Sequence, residues 1–448
     1  MCLRCGWVDG LAAFAAGIAV ALALVLVITP RDLFAAAQGD AAAFAALKAT
    51  FKRPRAVPFP ASNSFSEEKR KLGEMLFFDG RLSSNGQMSC ATCHDPARGL
   101  ADGRVKSVGV AGRTLVRHTP ALWNLAWAGP VFWDGRARSL EEQVAGPIQN
   151  PDEMNQPIDA VLARLRNDDH YARAFAAAFP DDPNLTHENM AKAIATYERT
   201  LVAPLTRFDR WIDGDATALT PQEVAGFKVF TGAAGCSNCH SGFAFTDNAF
   251  HDIGLPDDDR GRGAVLRLPA AEHAFKTPSL REAGRTAPYM HDGSLPTFEA
   301  VLQHYEHGVV ERPTLSADLP RHLSLADADR NALLAFLKTL TSGGDARPPP
   351  VVAETSKFDA PAVRTTTVTQ DDKAFTPRHV RLTRGERLWV VNNDTRTHNV
   401  RVFDESFDFD AGAQEPGETV EVAFPATGAF LVFCGIHPKM ELHVDVVP

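Results

Sequence analysis

Two short motifs in the sequence place two cysteines and a histidine at the same spacing, C-x-x-C-H. Their residues are Cys90, Cys93 and His94 in the first motif, and Cys236, Cys239 and His240 in the second. In such a motif the two thiols bind a haem covalently and the histidine binds its iron as an axial ligand. A zinc site or a redox-active cysteine pair is the alternative, but no second ligand pair lies nearby in the sequence. The motifs therefore predict two c-type haems with His94 and His240 as axial ligands.

A third group of metal-binding side chains lies in the stretch FCGIHPKM at residues 433–440. Cys434, His437 and Met440 fall within it, and His398 precedes them after a β-like segment. Two imidazoles, one thiolate and a weak thioether are the ligand set of a type 1 (blue) copper site. The alternative is a buried free cysteine beside an exposed histidine and methionine. A copper ion with four protein ligands has no position for substrate, so we predict that this site transfers single electrons.

The sequence around the two C-x-x-C-H motifs is repeated. Each copy continues with a Thr-Pro pair, then a Trp/His-Asp-Gly segment, then a Ser/Thr-x-Glu segment. These landmarks begin at Thr119, Trp133 and Ser139 in the first copy, and at Thr277, His291 and Thr297 in the second. From Thr119 to Asp134 is 15 residues, and the corresponding interval in the second copy is also 15. Three landmarks in register without a gap indicate two copies of one haem domain.

The repeat also aligns the residues expected on the face opposite each axial histidine. Its register pairs Pro147 of the first copy with Tyr305 of the second. Proline has no side-chain donor atom, whereas tyrosine can bind ferric iron as phenolate. We therefore predict an open first haem that can bind peroxide or oxygen, and a closed second haem that stores and passes electrons. Met290 ranks second as the ligand of the closed haem, and His304 and His307 are further alternatives.

Side chains near Pro147 suit peroxide chemistry. Heterolytic cleavage of an O–O bond needs a group that moves a proton between the two oxygens. Glu153 is predicted for this role with Gln143 as its hydrogen-bond partner, although a surface position is the commoner fate of a glutamate. Trp133 lies between the Thr-Pro turn and the same helical stretch. Its indole is predicted to relay electrons between the haems, with core packing as the alternative.

The elements that must position these residues change in type along the chain. From about residue 62 to 345 the apolar spacing is mainly helical, and capping-box patterns begin at Ser64, Ser139 and Thr220. After about residue 363, alternating β-branched segments such as HVRLT and RLWVV predict a small all-β sandwich. The predicted fold class is multidomain, with two mainly α c-type cytochrome domains followed by an all-β domain.

These patterns divide the chain into a series of segments. They are 1–40, a signal peptide or membrane anchor; 41–61, a linker; 62–215, the first haem domain; 216–345, the second haem domain; 346–362, a Pro-rich linker; and 363–448, the β domain. The stretch ARPPPVV in the second linker favours a stiff, extended connection.

The N-terminus and the overall charge bear on location and partners. Leu11–Thr29 is an apolar run of 19 residues without a charge. A secretory core usually has about 7–15 residues and a membrane span about 17–25, so cleavage near Ala35 and retention as an anchor both stay open. Either predicts an exported, periplasmic protein, as does covalent haem attachment. The formal net charge of −9 argues against a nucleic-acid partner, which calls for a basic surface.

Several longer stretches resemble the bacterial di-haem cytochrome c peroxidase and MauG family. They are LGEMLFFDGRLSSNGQMSCATCHDP, FWDGRA, NPDEM and TAPYMHDG, within residues 50–345. The resemblance implies that Trp133 lies between the haems and that Glu153 serves peroxide cleavage. It also implies a calcium ion between the haem domains, bound partly by the carbonyls of Thr286 and Pro288, with His118 in place of the family's asparagine ligand.

Tyr305 and Pro147 are similar to the MauG branch of that family. In this branch the second haem has a tyrosine ligand, and an open first haem lies beside proline and glutamine. High-valent iron then oxidises tryptophans of a partner protein. The C-terminal domain resembles the cupredoxins, and its C-x2-H-x2-M spacing from Cys434 to Met440 is like that of amicyanin-type copper sites.

Three functional hypotheses follow. The first is an exported peroxidase that reduces hydrogen peroxide at the first haem. Its electrons would pass from an external redox protein, a small cytochrome or a dehydrogenase, through copper, the second haem and Trp133. The second is a MauG-like oxidase of a protein or organic substrate, for which the reverse direction of electron flow through copper is also open. The third is a non-enzymatic electron carrier.

Overall fold

The computed structural model describes residues 41–320, 323–343, 353–355, 363–364, 367–383, 386–404 and 407–447. The predicted export segment, Leu11–Thr29, lies outside the described residues. Residues 41–48 are helical and belong to a separate unit, whereas the described chain from residue 49 onward forms one unit. Within the described ranges, no helix has both the length and the apolar character needed to cross a membrane.

Residues 49–343 consist mainly of helices joined by long loops, which confirms the predicted fold class for this region. The α-helices are Glu67–Phe77, Cys90–Cys93, Leu140–Gln143, Ala145–Gln149, Ile158–Arg166, Asp169–Ala178, His187–Arg199, Arg207–Ile212, Pro221–Thr231, Arg262–Leu266, Phe298–Gln303 and Asp327–Lys338. A π-helical turn, His304–Gly308, directly follows Phe298–Gln303.

The helix starts follow the predicted capping signals with one exception. Ser139 and Thr220 each accept a hydrogen bond from the third helical N–H group, as predicted. The helix Glu67–Phe77, however, is capped by Ser66 and not by the predicted Ser64. Only the residue directly before a helix places its hydroxyl oxygen within reach of the free N–H groups of the first turn.

Two pairs of crossing helices show the internal repeat. The pairs are Glu67–Phe77 with His187–Arg199, and Pro221–Thr231 with Asp327–Lys338. A Cβ atom on Gly73 would lie 1.9 Å from the carbonyl oxygen of Ala193. A Cβ atom on Gly226 would lie 1.9 Å from the carbonyl oxygen of Ala332. Any larger side chain would force these helices apart, so glycine permits the same close crossing in both copies.

The loops between the helices repeat as well. Asn124 and Glu282 both adopt the left-handed backbone conformation, with φ of 64° and 62°. Phe132 and Met290 do the same, with φ of 67° and 73°. The members of each pair are 158 residues apart in the sequence. Because this conformation is unfavourable for most side chains, its recurrence at matching positions confirms the predicted internal repeat.

The C-terminal region is an all-β sandwich of two sheets, as predicted. In chain order, the strands among the described residues are β1 (Val57–Phe59), β2 (Phe250–His251), β3 (Phe275–Lys276), β4 (Ala353–Thr355), β5 (Val363–Arg364), β6 (Thr367–Asp371), β7 (Ala374–Thr376), β8 (His379–Thr383), β9 (Arg387–Asn392), β10 (His398–Asp404), β11 (Phe407–Gln414), β12 (Thr419–Ala423), β13 (Gly428–Phe433) and β14 (Glu441–Val447). One sheet has the order β11-β10-β13-β14-β8-β5, and the other has the order β12-β9-β6-β7.

Alternating side chains fill the space between these two sheets. In β8, for example, Val380 and Leu382 are fully buried while the residues between and beside them are not. Burial of each such aliphatic side chain contributes about 1.5–3 kcal/mol. The same buried cluster includes Leu268 and Ala271 of the helical region. The sandwich is therefore packed against the helical region as well as being joined to it by a linker.

The two predicted linkers differ in part from the structure. Within the predicted linker 41–61, Phe51 and Phe59 are 2% and 1% exposed, and Phe51 packs among other aromatic rings. Within the Pro-rich linker 346–362, Ala353–Thr355 forms β4 and pairs in parallel with β1. Burial of large aromatic side chains stabilises the fold, so the predicted linker 41–61 belongs partly to the folded core.

Candidate haem and copper sites

Both C-x-x-C-H motifs line a single crevice of about 1000 Å³ in the helical region. The same crevice is lined by Gln143, Pro147, Glu153, Met290 and Tyr305, which were predicted for the faces opposite the axial histidines, and by Trp133, which was predicted to lie between the haems. The structure therefore brings the residues predicted for the two haem sites together in one place.

The first motif forms a short helix, Cys90–Cys93, that ends at His94. Ser89 and Thr92 close a capping box at its start. The Nδ1 atom of His94 lies 3.0 Å from the carbonyl oxygen of Leu100. Because a carbonyl oxygen only accepts, Nδ1 carries the proton and Nε2 is left to bind a metal. Burial lowers the pKa of His94, which favours the neutral imidazole that ligates iron.

The second motif is arranged in the same way. Cys236–Asn238 forms a 3-10 turn, and the Nδ1 atom of His240 lies 2.9 Å from the carbonyl oxygen of Phe245. Both acceptors, Leu100 and Phe245, have a left-handed backbone, with φ of 62° and 53°. Burial also lowers the pKa of His240. Each motif therefore provides two cysteines and an oriented, neutral histidine in the crevice lining, which fits two covalently bound haems.

The two copies hold each other through a pair of matching hydrogen bonds. The N–H of His118 donates to the carbonyl of His291 at 2.7 Å, and the N–H of Lys276 donates to the carbonyl of Trp133 at 2.8 Å. The repeat aligns His118 with Lys276 and Trp133 with His291, so each of these hydrogen bonds is the counterpart of the other. The indole Nε1 of Trp133 donates to the carbonyl of His118 at 2.8 Å. Trp133 therefore lies at the junction of the copies, with its ring fixed in orientation.

The stretch that follows Pro147 carries a largely buried carboxyl group. The Oε1 atom of Glu153 accepts a hydrogen bond from Nδ2 of Asn150 at 2.7 Å. Burial raises the pKa of Glu153, and the bond from Asn150 partly opposes this shift. Gln143 lines the crevice, but the partner of Glu153 in this structure is Asn150, which the sequence prediction omitted. The NPDE stretch, with an amide three residues before the carboxyl, is the signal that could have indicated it.

The aligned stretch of the second copy is built differently. Tyr305 lies in the π-helical turn His304–Gly308 and lines the crevice. Such turns are frequent at functional sites. Burial raises the pKa of Tyr305, so its phenol keeps the proton unless a cation is bound nearby. Met290 lines the crevice too, whereas Nε2 of His304 lies 2.9 Å from the carbonyl oxygen of Ile253.

Three of the four predicted copper ligands form a tight, buried cluster. The Nδ1 atoms of His398 and His437 are 3.1 Å apart, and Sγ of Cys434 is 3.7 Å from each of them. These separations suit one ion bound by all three atoms, since transition-metal bonds to N and S are about 2.0–2.3 Å long. Burial lowers the pKa of both histidines, which keeps them neutral. Met440 is 1% exposed, and its N–H donates to the carbonyl of His437, so the residues fit a copper ion.

Two residues that the sequence prediction omitted orient the copper ligands. Oδ2 of Asp394 lies 3.1 Å from Nε2 of His398, so Nε2 carries the proton and Nδ1 faces the other ligands. Oδ1 of Asn399 accepts from the N–H of Gly435 at 3.2 Å, and its Nδ2 donates to Asp410. Asn399 thereby connects β10, which begins at His398, to the loop that follows Cys434. Both residues occur in the stretch NNDTRTHNV, but their side-chain directions cannot be read from it.

The loop that carries the copper ligands contacts the haem copies. The carbonyl of Gly435, next to the ligand cysteine, accepts from Nε of Arg262 at 3.0 Å, and Nη1 of Arg262 donates to the carbonyl of Gly135 at 2.7 Å. Nζ of Lys439 donates to the carbonyl of Thr246 at 3.0 Å, and Lys439 lines the haem crevice. The predicted copper site therefore lies against both haem copies.

A length difference between the two copies is the sequence signal for this contact. From the axial histidine to the Thr-Pro pair, the first copy spans 25 residues and the second spans 37. The longer segment contains Arg262, Leu268 and Ala271, which contact the β domain. The sequence comparison between copies could have located this segment, but it could not have shown what covers it.

The sequence is similar to known proteins in both regions. Residues 67–217 match the family described as di-haem cytochrome c peroxidase, and residues 362–447 match the copper binding proteins of the plastocyanin/azurin family. The methylamine utilization protein MauG of Methylorubrum extorquens is 47% identical over 299 residues, 66% of this chain and 84% of the relative. The cytochrome c551 peroxidase of Pseudomonas aeruginosa is 40% identical over 240 residues, 51% of this chain and 69% of the relative.

A solved structure matches the helical region. The crystal structure of a MauG-like protein associated with microbial copper homeostasis is 33% identical, with a TM-score of 0.59, and the match covers 65% of this chain and 94% of the other. Together the comparisons imply two c-type haems and a copper ion. They do not support the calcium ion expected at the carbonyls of Thr286 and Pro288, and Nδ1 of His118 lies against the carbonyl of Arg104 at 2.7 Å.

Proposed function

Because the chain belongs to the di-haem cytochrome c peroxidase and MauG family and ends in a copper-binding domain of the plastocyanin/azurin family, we propose that it reduces hydrogen peroxide at its first haem. The second haem and the copper ion pass the electrons in this proposal. The observation that carries it is the Glu153 carboxyl in the crevice, on the stretch after Pro147. Proline has no side-chain donor atom for an iron bound beside it, so a haem held by His94 would keep that face open, and a carboxyl there would serve proton transfer.

Glu153 supplies the proton chemistry of the proposed reaction, in which one H2O2, two electrons and two protons give two waters. Glu153 takes a proton from one peroxide oxygen and passes it to the other, which leaves as water. Asn150 holds the carboxyl in place, while burial raises its pKa, so it exchanges a proton closer to neutral pH than an exposed glutamate does. When bound, the haem iron supplies the reduction of the O–O bond.

The remaining predicted residues are assigned to binding and to electron movement. His240 and Tyr305 would both ligate the second haem, which excludes peroxide from it. Trp133 is fixed between the copies by its bonds to His118 and Lys276, where an indole shortens the path between two redox centres. The copper ligands are His398, Cys434, His437 and Met440, and Lys439 extends the same loop into the haem crevice.

Rapid mixing of the fully loaded, fully reduced protein with hydrogen peroxide tests this proposal. The haem absorption and the blue Cu(II)–thiolate band are followed together. We expect the blue band to appear at the rate at which peroxide is consumed. Loss of peroxide while copper stays reduced would contradict the proposal that copper donates the electrons. Haems that do not respond to peroxide or cyanide would indicate an electron carrier without enzymatic activity.

Tyr305 and the 47% identity to MauG favour a second candidate, a MauG-like oxidation of a protein or an organic substrate. In this case peroxide is the oxidant and electrons leave the substrate, so copper is not needed as the donor. The mixing experiment separates the two candidates. In the second one copper stays reduced, and peroxide consumption continues only while an oxidisable substrate is supplied.

An exported, periplasmic location and an external redox protein, a small cytochrome or a dehydrogenase, complete the proposal. The C-x-x-C-H motifs support export, because covalent haem attachment takes place outside the cytoplasm. Cell fractionation followed by haem staining checks the location, and a shift of the haem stain to the cytoplasmic fraction would contradict it.

A further inference from the structure

A buried carboxylate of the helical region, Asp318, binds two cations of the copper domain. Its Oδ1 accepts from Nη2 of Arg396 at 2.7 Å, and its Oδ2 lies 2.5 Å from Nζ of Lys373. The Asp318 side chain is only 7% exposed. A carboxylate buried to this extent is costly unless it is paired and hydrogen-bonded, so these two contacts hold the regions together at one point.

The same two residues also bind the carboxylate that orients a copper ligand. The N–H of Lys373 donates to Oδ2 of Asp394 at 3.0 Å, and Nη1 of Arg396 donates to Oδ1 of Asp394 at 3.0 Å. Oδ2 of Asp394 faces Nε2 of His398 at 3.1 Å. Asp318 and Asp394 therefore share Lys373 and Arg396, and a continuous set of contacts runs from Asp318 to His398.

The other side of Asp318 faces the second haem motif. Its backbone carbonyl accepts from Nδ2 of Asn238 at 3.1 Å, and Asn238 lies between the two cysteines of that motif. The next residue, Leu319, lines the haem crevice. Oδ2 of Asp318 is 3.9 Å from Nδ1 of His251. Asp318 thus stands between the attachment loop of the second haem and the ligand set of copper.

The charges of this network agree with its geometry. Burial acts to raise the pKa of Asp318, but Lys373 and Arg396 lower it below its usual range. Asp318 is therefore ionised at neutral pH, which is the form that holds Lys373 and Arg396 through charge-assisted contacts.

We infer that Asp318 is a positioning residue for copper: it fixes His398 through Arg396 and Asp394, so that the helical region sets the geometry of the copper site. The inference rests on the proposed function only in requiring that copper binds. It predicts that the copper site of the whole protein differs from that of a chain in which this link is broken, even when no peroxide is present.

The test is Asp318→Asn in the full chain loaded with haem and copper. We expect the copper affinity to fall about tenfold, the lower end of the loss of about 10-fold to 100-fold that follows removal of a direct partner of a metal ligand, because Asp318 acts on His398 only through Arg396 and Asp394. We also expect an altered Cu(II) electron paramagnetic resonance (EPR) spectrum and a raised copper reduction potential, because removing a negative charge disfavours Cu(II). The haem spectra should not change.

Asp445→Asn is the matched control, since Asp445 pairs with His379 on the β domain and its loss removes the same charge without touching the network. Asp318→Glu, which keeps the charge, should restore the EPR spectrum. If Asp318→Asn does not fold, Arg396→Gln breaks the link from the copper side. Copper affinity and EPR spectra equal to those of the control would overturn the inference. If the unchanged protein does not consume peroxide, the proposed function is rejected. An altered copper affinity and EPR spectrum in Asp318→Asn would still support this inference.

Discussion

The two haem copies share a close helix crossing and matching left-handed loop residues, yet the stretches predicted to lie opposite their axial histidines carry different side chains. Four aligned positions, each separated by 158 residues, hold Gln143, Pro147, Asn150 and Glu153 in the first copy and Val301, Tyr305, Gly308 and Glu311 in the second. The first set provides two amides, a proline and a carboxyl, whereas the second provides a valine, a phenol, a glycine and a carboxyl. These differences agree with the proposal that the first copy transfers protons and that Tyr305 of the second copy ligates iron.

The two aligned glutamates are placed differently in the two copies. Glu153 lines the crevice and is bound by Asn150, whereas Glu311 is exposed. Gly308, which aligns with Asn150, has no side chain to bind a carboxyl. Asn150 therefore holds the Glu153 carboxyl at the crevice, and the second copy has no amide side chain at the aligned position.

A second difference lies on the crossing helices. The glycine crossings align Ala193 with Ala332, and therefore Glu198 with Leu337, both of which line the crevice. Glu198 is 5% exposed, and its Oε2 has no hydrogen-bond partner among the described residues. Burial raises the pKa of Glu198 to about 8. The first copy thus keeps an ionisable group where the second has an apolar one.

The largest expected effect comes from removing the carboxyl of the first copy. Glu153→Gln should slow peroxide consumption by about 100-fold to 10,000-fold, because an amide cannot accept and return the proton. The matched change Glu311→Gln, at the aligned position of the second copy, should leave the rate unchanged. Stopped-flow measurement of peroxide loss checks both. Equal effects of the two changes would contradict the assignment of proton transfer to the first copy alone.

Opening the second haem site should make the copies more alike. Tyr305→Phe removes only the ligating hydroxyl, so the number of haems that bind cyanide should rise from about one to about two per chain, since tyrosine ligates only through that oxygen. Met290→Leu is the control and should leave the number unchanged. Optical titration with cyanide gives the stoichiometry, and a response to Met290→Leu alone would assign the ligand to Met290.

A smaller effect is expected from the amide that holds Glu153. Burial raises the pKa of Glu153 and Asn150 opposes this, so Asn150→Ala should raise the pKa further. A base works only when ionised, so the acidic limb of the kcat/KM profile should move to higher pH, with about a tenfold loss of rate at neutral pH. A profile that loses height without moving would show that Asn150 does not act on the carboxyl.

The last prediction concerns stability and the Glu198 position. Its folded-state pKa of about 8 exceeds the ordinary value of 4.5. Between these values the folded protein binds a proton that the unfolded chain has lost, so stability falls as pH rises, by on the order of 1 kcal/mol per pH unit. Glu198→Gln should reduce the drop in Tm from pH 5 to pH 8, whereas the exposed Glu311→Gln should not. Identical drops in Tm in both variants would show that Glu198 does not contribute to the pH dependence of stability.

Some features of the fold and the site follow directly from local sequence. Ser139 and Thr220 act as helix caps because capping depends on residues within one turn of each other. The offset between the copies locates the matching left-handed residues Phe132 and Met290. Asn150 was missed because its role depends on the direction in which its side chain points, and spacing in a loop does not set that direction.

The sequence by itself determined which cofactors the protein is built for, the internal repeat, and the change from helical to β structure. Covalent haem attachment and copper ligation need particular side chains at short, characteristic separations, and periodic apolar residues report the element that carries them. Only the tertiary structure decided where the copper domain lies. Arg262 meets Gly435 and Asp318 meets Arg396 across 173 and 78 positions. Such contacts depend on the shape and burial of two separately formed surfaces, which no local pattern of residues encodes.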